Sequence, residues 1–379
     1  MALWKFPKKP SLQFSRQVTK PFHSFLHPSY LNIELWRECN GFEIYIQRED
    51  DSFLSLGSKM RRIQGFLNLD TKLPILIQGS LGSNFLTSFA LALSLHGFSV
   101  FVLAKTYELS PHSLNFYLLK KYSKELYFGS NKVLEFTKDQ ICKKYPDIQV
   151  IPKYGFSREG EFGYESLWKQ ITCYPIDNQN ENLIVKKKSE TLNSESESSF
   201  FDTIVLDIGS GLSYLSAANY FQTLNTKILG VCIGESKTSW LRNLPERMIQ
   251  LGWDEKQRSI IKIPKDHLVN PVILPKFAET NDLLLDFIKD IYRDSHYKLR
   301  LEPIYSAKTL FTLLYYLNDL SLYKYKIHKI IRNVDLQFKE KLFQSPQRKI
   351  LYIHQGGLLS WYKLFALADE NSNNNHSTF

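Results

Sequence analysis

The sequence predicts an α/β protein built on parallel and mixed sheets with helices on both faces. Three observations carry that expectation. Short β-branched and aliphatic runs of the kind that form buried parallel strands alternate with stretches of helical periodicity. Several of these runs end in glycine- or serine-rich turns leading straight into a helix, which is where open α/β sheets bind ligands. The chain has 379 residues, 43% of them hydrophobic, enough for a large core, and its length suggests two domains or one large one.

In chain order, residues 1 to about 30 hold Pro7, Pro10, Pro21 and Pro28 and read as an irregular arm along the surface. Residues 42–47 (FEIYIQ) alternate as a strand, ended by Arg48, Glu49, Asp50 and Asp51. Residues 56–63 (LGSKMRRI) read as a turn feeding a helix, with Lys59 at its mouth. Next come a buried strand at 74–78, the turn GSLGSN at 79–84, and an apolar helix at 85–96. A strand at 99–103, helices at 113–122 and 132–144, and a strand near 148–151 continue the alternation. A glycine-punctuated loop at 157–164 precedes a helix at 164–171. Residues 177–199, rich in Ser, Glu, Asn and Lys, are too polar to pack and read as an insertion loop.

The stretch 201–220 (FDTIVLDIGSGLSYLSAANY) organises the chain: strand, glycine-rich turn, helix. Gly209, Ser210 and Gly211 let the backbone approach a ligand closely, and the first N–H groups of the following helix face an anion, with the Ser210 and Ser213 hydroxyls adding donors. A turn of this kind equally serves simply to reverse the chain, and both readings stand on the pattern alone. Beyond it follow a strand at 227–233, helices at 240–251 and 282–292, a helix opened by residues 301–308 (LEPIYSAK), and a strand at 350–354 ending in Gln355-Gly356-Gly357. Residues 370–379 read as a disordered tail.

No apolar run approaches the ~20 residues of a membrane span, and the opening MALWKFPKKPSLQF lacks the apolar core of a secretory signal, so a cytoplasmic protein is expected. The four cysteines, Cys39, Cys142, Cys173 and Cys232, stand far apart without metal-ligand spacing. The net charge of +10 is scattered, and its densest run, Lys186 to Lys188, sits within the polar insertion, which ranks nucleic-acid binding low.

Neither a GxxxxGK[ST] nor a GxGxxG motif follows any strand; Tyr214 stands where the third glycine would. A phosphorylated cofactor of another kind remains. Six colinear segments, over about residues 28–365, together resemble the pyridoxal-phosphate (PLP) enzymes of the 1-aminocyclopropane-1-carboxylate (ACC) deaminase and D-cysteine desulfhydrase family. QREDD followed by LGSKMRR is similar to the family's KRDD and GGNKxRK; Gly82-Ser83-Asn84-Phe85 to its QSNH; residues 151–157, then 160–164, to IPxGGS and GxxGY. Residues 209–213 (GSGLS) resemble the phosphate loop GSGGT, residues 302–308 (EPIYSAK) resemble DPVYTGK, and residues 352–357 (YIHQGG) resemble FIHTGG.

The resemblance implies the tryptophan synthase β-like fold (fold type II), with a large cofactor domain from residues 1–61 and 173–379 and a small domain at 62–172. It makes Lys59 the lysine bonded to the cofactor aldehyde, which requires a neutral amine; an enclosed site beside Arg61 and Arg62 would favour that form. Without the resemblance Lys59 reads as a solvated lysine of a basic helix. By the same matches Ser83 is a nucleophile or proton relay, against a plain helix cap; Asn84 bonds the cofactor's phenolic oxygen; Gly209, Ser210, Gly211, Leu212 and Ser213 hold the phosphate. Tyr305 lies beside the substrate, against a plain core tyrosine, and Ser306 faces the pyridine nitrogen, where a neutral hydroxyl suits elimination and deamination. Leu56, Ser58, Gly82 and Phe85 depart from the pattern, and a second substrate-facing tyrosine has no counterpart in HLVNPVILPKFAE.

The implied activity is elimination or deamination of a small amino acid, D-cysteine or ACC among them, releasing ammonia and a 2-oxo acid, by a homodimer using pyridoxal 5'-phosphate. Two rivals stand beside it: a PLP-binding protein without turnover, and a basic nucleic-acid-binding scaffold on the same fold.

Overall fold

The computed structural model describes residues 31–52, 56–106, 113–174, 199–274, 276–296, 298–320, 334–344 and 348–357. The expected N-terminal arm and C-terminal tail lie outside them, as does the expected insertion except for Ser199. The strands among the described residues are, in chain order, β1 (Ile33–Cys39), β2 (Phe42–Arg48), β3 (Ile75–Ser80), β4 (Val100–Lys105), β5 (Glu125–Gly129), β6 (Gln149–Ile151), β7 (Thr203–Ile208), β8 (Lys227–Cys232), β9 (Leu268–Val269) and β10 (Lys349–His354). The chain divides into a smaller unit containing Ser52–Gly163 and a larger one, Tyr30–Asp51 with Tyr164–Phe379. The sequence had set these boundaries at about residues 62 and 172.

In the smaller unit the described strands form a fully parallel sheet in the order β5-β4-β3-β6. Parallel strands need long crossovers, and the helices Asn84–Leu95, Leu114–Tyr122 and Asn131–Lys144 supply them. Leu76, Phe101, Leu103, Leu134 and Ile141 pack as one cluster between sheet and helix. Helix starts follow hydroxyl chemistry: Ser83 and Ser113 accept backbone N–H groups of Phe85 and Phe116. Residues 157–164 form more than the expected loop. Ser157 accepts the Gly160 N–H and opens a short helix, Arg158–Phe162.

In the larger unit the described strands form a mixed sheet in the order β1-β2-β10-β7-β8-β9. β1 and β2 are an antiparallel hairpin turned by Asn40 and Gly41 at φ 48° and 78°, the left-handed pair that a two-residue hairpin requires. The remaining pairings are parallel. One core joins Ile44 and Ile46 of β2, Val205 of β7, and Leu229 and Val231 of β8 to Phe287 and Ile291 of helix Asp282–Asp294 and Leu310 and Phe311 of helix Ser306–Tyr316. The helix expected at 240–251 is two, Lys237–Arg242 and Leu244–Gln250. Pro245 lies in the first turn of the second, where its missing N–H costs nothing, and the first ends at Asn243.

Candidate functional site

All six residues of β7 are buried, and the chain leaves this strand through Gly209 and Ser210 into helix Leu212–Tyr220. Gly211 is the residue before the helix and has φ 91°, left-handed backbone that glycine adopts without penalty. A glycine there brings no side-chain oxygen to cap the helix, so the N–H groups of the first turn are left to an outside acceptor at the positive end of the helix dipole. Neighbours approach this turn closely. A methyl on Gly211 would come within 2.7 Å of Trp240 Nε1, and one on Gly234 within 2.7 Å of the Gly209 carbonyl oxygen. Arg247 donates to the Ser210 carbonyl, is paired with Glu235, and lies 5.7 Å from the Trp240 ring centroid. Sequence reading named the turn but missed Trp240, Glu235 and Arg247. They come from the following strand end and helices, and no local motif marks them.

Tyr305 and Ser306 stand with the turn in the same unit. The Tyr305 ring lies against Gly209, with Cε1 2.9 Å from where a methyl of that glycine would be. Glu302 holds both residues in place. Its Oε1 accepts the N–H groups of Tyr305 and Ser306 at 2.6 and 2.7 Å, and its Oε2 that of Ile304 at 2.9 Å, so a carboxylate satisfies the start of helix Ser306–Tyr316. Ser306 is fully buried, and its Oγ donates to the Glu302 carbonyl at 3.0 Å and accepts the Glu302 N–H at 2.8 Å. Gly356 is close enough that a methyl on it would lie 3.3 Å from Ser306 Oγ. Lys308, one turn along, is buried and donates to the carbonyls of Leu274 and Lys276 at 2.9 and 2.8 Å; burial lowers its pKa while Glu279 and Glu302 hold it up.

Lys59, Ser83 and Asn84 belong to the smaller unit. Gly57 at φ 67° turns the chain into helix Lys59–Gln64, and Lys59 is half-buried between buried Ser58 and Met60. That helix packs on helix Asn84–Leu95, which brings the three residues to neighbouring elements. It also meets the backbone of residues 158–163: a methyl on Gly163 would overlap the Arg61 carbonyl, and one on Gly65 the Glu159 carbonyl. Arg62 bonds the Tyr154 carbonyl at 3.2 Å. Ser83 Oγ accepts the Phe85 N–H at 3.2 Å, the cap that local chemistry expects. Phe85, where the family pattern has a histidine or glutamine, is buried with its ring 4.6 Å from Phe89 and 5.7 Å from Tyr154.

At the carboxyl ends of β2 and β10 lies a buried ionic group that the sequence showed only as QREDD and YIHQGG. Arg48 grips Asp50 through two bonds of 2.8 Å and the Lys298 carbonyl through a third. His354 bonds the Arg300 carbonyl at 2.9 Å. Together they clamp the backbone that leads into Glu302 and Tyr305.

No protein-family profile and no curated protein matches the chain. Solved structures do. An ACC deaminase homologue aligns with a TM-score of 0.56 at 19% identity over 91% of this chain and 98% of its own. A serine racemase from Dictyostelium discoideum aligns at 0.55 and 17% identity over 90% and 97% of the two chains. A pyridoxal 5'-phosphate-dependent aspartate racemase aligns at 0.53 and 12% identity over 92% and 97%. The fold is therefore the tryptophan synthase β-like fold of the type II PLP enzymes, as the sequence segments implied.

Proposed function

We propose that this chain is a PLP-dependent enzyme of the ACC deaminase and D-cysteine desulfhydrase kind, eliminating or deaminating a small amino acid to ammonia and a 2-oxo acid. The observation that carries the proposal is the uncapped helix start at Gly211, left-handed and pressed by Trp240, with Tyr305 laid on Gly209, in a fold shared with PLP enzymes. These residues fit a phosphate. Glycines leave room for its approach, first-turn N–H groups point outward, and Trp240 Nε1 is a buried donor with no hydrogen-bond partner among the described residues.

Residues 209–213 would hold the phosphate, and the family resemblance would make Lys59 the amine that bonds the cofactor aldehyde. Asn84 would, by the same resemblance, bond the phenolic oxygen. Bound PLP supplies an electrophilic carbon for a substrate amine and a ring that withdraws electrons from its α-carbon. Ser83 Oγ, accepting the Phe85 N–H as a helix cap, keeps its hydroxyl proton to donate. The Tyr305 hydroxyl, 3.5 Å from the methyl position of Gly209, stands beside the phosphate turn to hold a substrate carboxylate or pass a proton. Ser306 would face the pyridine nitrogen, and its hydroxyl, neutral and braced by the Glu302 backbone, would leave the ring a moderate electron sink.

The test is the visible absorption spectrum of the protein with PLP, with and without borohydride, beside Lys59→Ala. A band that borohydride removes while fixing the cofactor to Lys59 supports the reading; a protein that takes up no PLP sinks it. A second reading, a PLP-binding protein without turnover, is favoured by Phe85, whose packed ring offers no hydrogen bond where the family has a polar side chain. Release of ammonia from D-cysteine, ACC or another small amino acid decides against it.

A further inference from the structure

The turn after β7 is bordered by two buried donors without a hydrogen-bond partner among the described residues. Trp240 is fully buried, and its Nε1 has no hydrogen-bond partner among the described residues; the same holds for the buried Nε of Arg247. A buried N–H without an acceptor is costly, so such groups in folded proteins signal a ligand or water that completes them. Both donors belong to one place. Trp240 Nε1 lies 2.7 Å from the methyl position of Gly211, the residue that opens helix Leu212–Tyr220, and Arg247 reaches the Ser210 carbonyl. The indole is held by an edge-on contact with Tyr214 at 5.5 Å and by the Arg247 guanidinium over its ring. Glycine at 211 is thereby explained twice: by its left-handed φ, and by the indole edge where a side chain would stand.

We propose that the indole N–H of Trp240 is a direct ligand of the anion bound at the Gly209–Ser213 turn, a side-chain donor added to the backbone cradle. This rests on reading that turn as a phosphate site. Arg247 is its positioning residue: it braces the indole face and fixes the Ser210 carbonyl, and its charge is balanced by Glu235. The added donor suits a tetrahedral dianion, whose several oxygens accept backbone N–H groups and the indole at once. A planar carboxylate fills fewer of them.

The full-length protein with 15N-labelled indoles tests this in a 1H–15N spectrum. The Trp240 signal is identified by its loss in Trp240→Phe and, independently, by its displacement in Arg247→Lys, should the first variant fail to fold. Titration with inorganic phosphate and with PLP is expected to move the Trp240 indole proton downfield. Trp240→Phe, which keeps an aromatic ring and removes the donor, is expected to weaken PLP binding about tenfold. If PLP binds while the Trp240 signal stays in place, this inference falls and the cofactor reading stands. If inorganic phosphate moves the signal but PLP is not taken up, the Trp240 contact stands and the cofactor reading falls. If neither ligand binds, both fall.

Discussion

The aromatic ring of Tyr305 covers Gly209, 2.9 Å from the position a methyl group would take on that glycine. The contact joins two segments about a hundred residues apart, the Gly209–Ser213 turn and the start of helix Ser306–Tyr316, and it depends on glycine having no side chain. Gly209→Ala is therefore expected to destabilise the protein by about 1–3 kcal/mol through overpacking. Tyr305→Ala opens that space, so the alanine at 209 should cost little in its presence. Urea unfolding of both single variants and the double variant measures the coupling. Additive costs would show that the ring does not rest on the turn.

Helix Lys59–Gln64 is positioned by backbone contact. Because a methyl on Gly163 would overlap the Arg61 carbonyl, Gly163→Ala must push this helix away, at a cost of about 3 kcal/mol or more. Gly82→Ala is the control, since nothing lies within 4 Å of its methyl position, and it should stay within about 0.5 kcal/mol of wild type. On the proposed function, borohydride fixation of PLP at Lys59 should fall in Gly163→Ala even where the protein remains folded. Equal behaviour of the two variants would mean that the helix is held elsewhere.

The sequence made the parallel alternation legible because β3, β4, β7 and β8 are buried on both faces and read as unbroken aliphatic runs. β5 went unread because its residues are mostly half-buried at the sheet edge and its ELYFG carries no such run. β1 went unread although Asn40-Gly41 is a strong hairpin signal; its alternation is blurred by an irregularity between Leu35 and Arg37. At the site, the glycine turns and Ser83 were visible through local spacing. Glu302 as a carboxylate cap, Trp240 beside Gly211 and Arg247 on Ser210 were not, because each depends on tertiary approach that no window of sequence contains.

Asp50 and Asp51 are adjacent in sequence and opposite in consequence. Asp50 is fully buried in its double bond with Arg48, whereas the Asp51 side chain is half exposed. Asp50→Asn takes from Arg48 its fully buried counter-charge and leaves it only the more exposed Glu34 and Asp51, and a loss of about 3 kcal/mol is expected. Asp51→Asn should cost less than about 1 kcal/mol, the usual worth of an exposed pair. Chemical denaturation separates them. Equal and small losses would mean that Glu34 and the Lys298 carbonyl keep Arg48 in place.

His267 is expected to contribute to the acid sensitivity of the larger unit. Burial lowers its pKa from the ordinary 6.5, with Lys341 and Lys227 acting in the same direction and Asp266 and a backbone bond at Ile228 opposing them. The unfolded chain then binds this proton more readily than the folded one, so stability rises with pH across this window. Read downward, stability is lost from pH 6.5 toward the lower value of the folded protein. His267→Gln removes the titrating group and should flatten the Tm profile just below pH 6.5. Lys341→Met should flatten it in part, although Lys341 also pairs with Asp266 at 3.3 Å and its loss lowers Tm at every pH. A His267→Gln profile parallel to that of wild type would place the acid sensitivity in other groups.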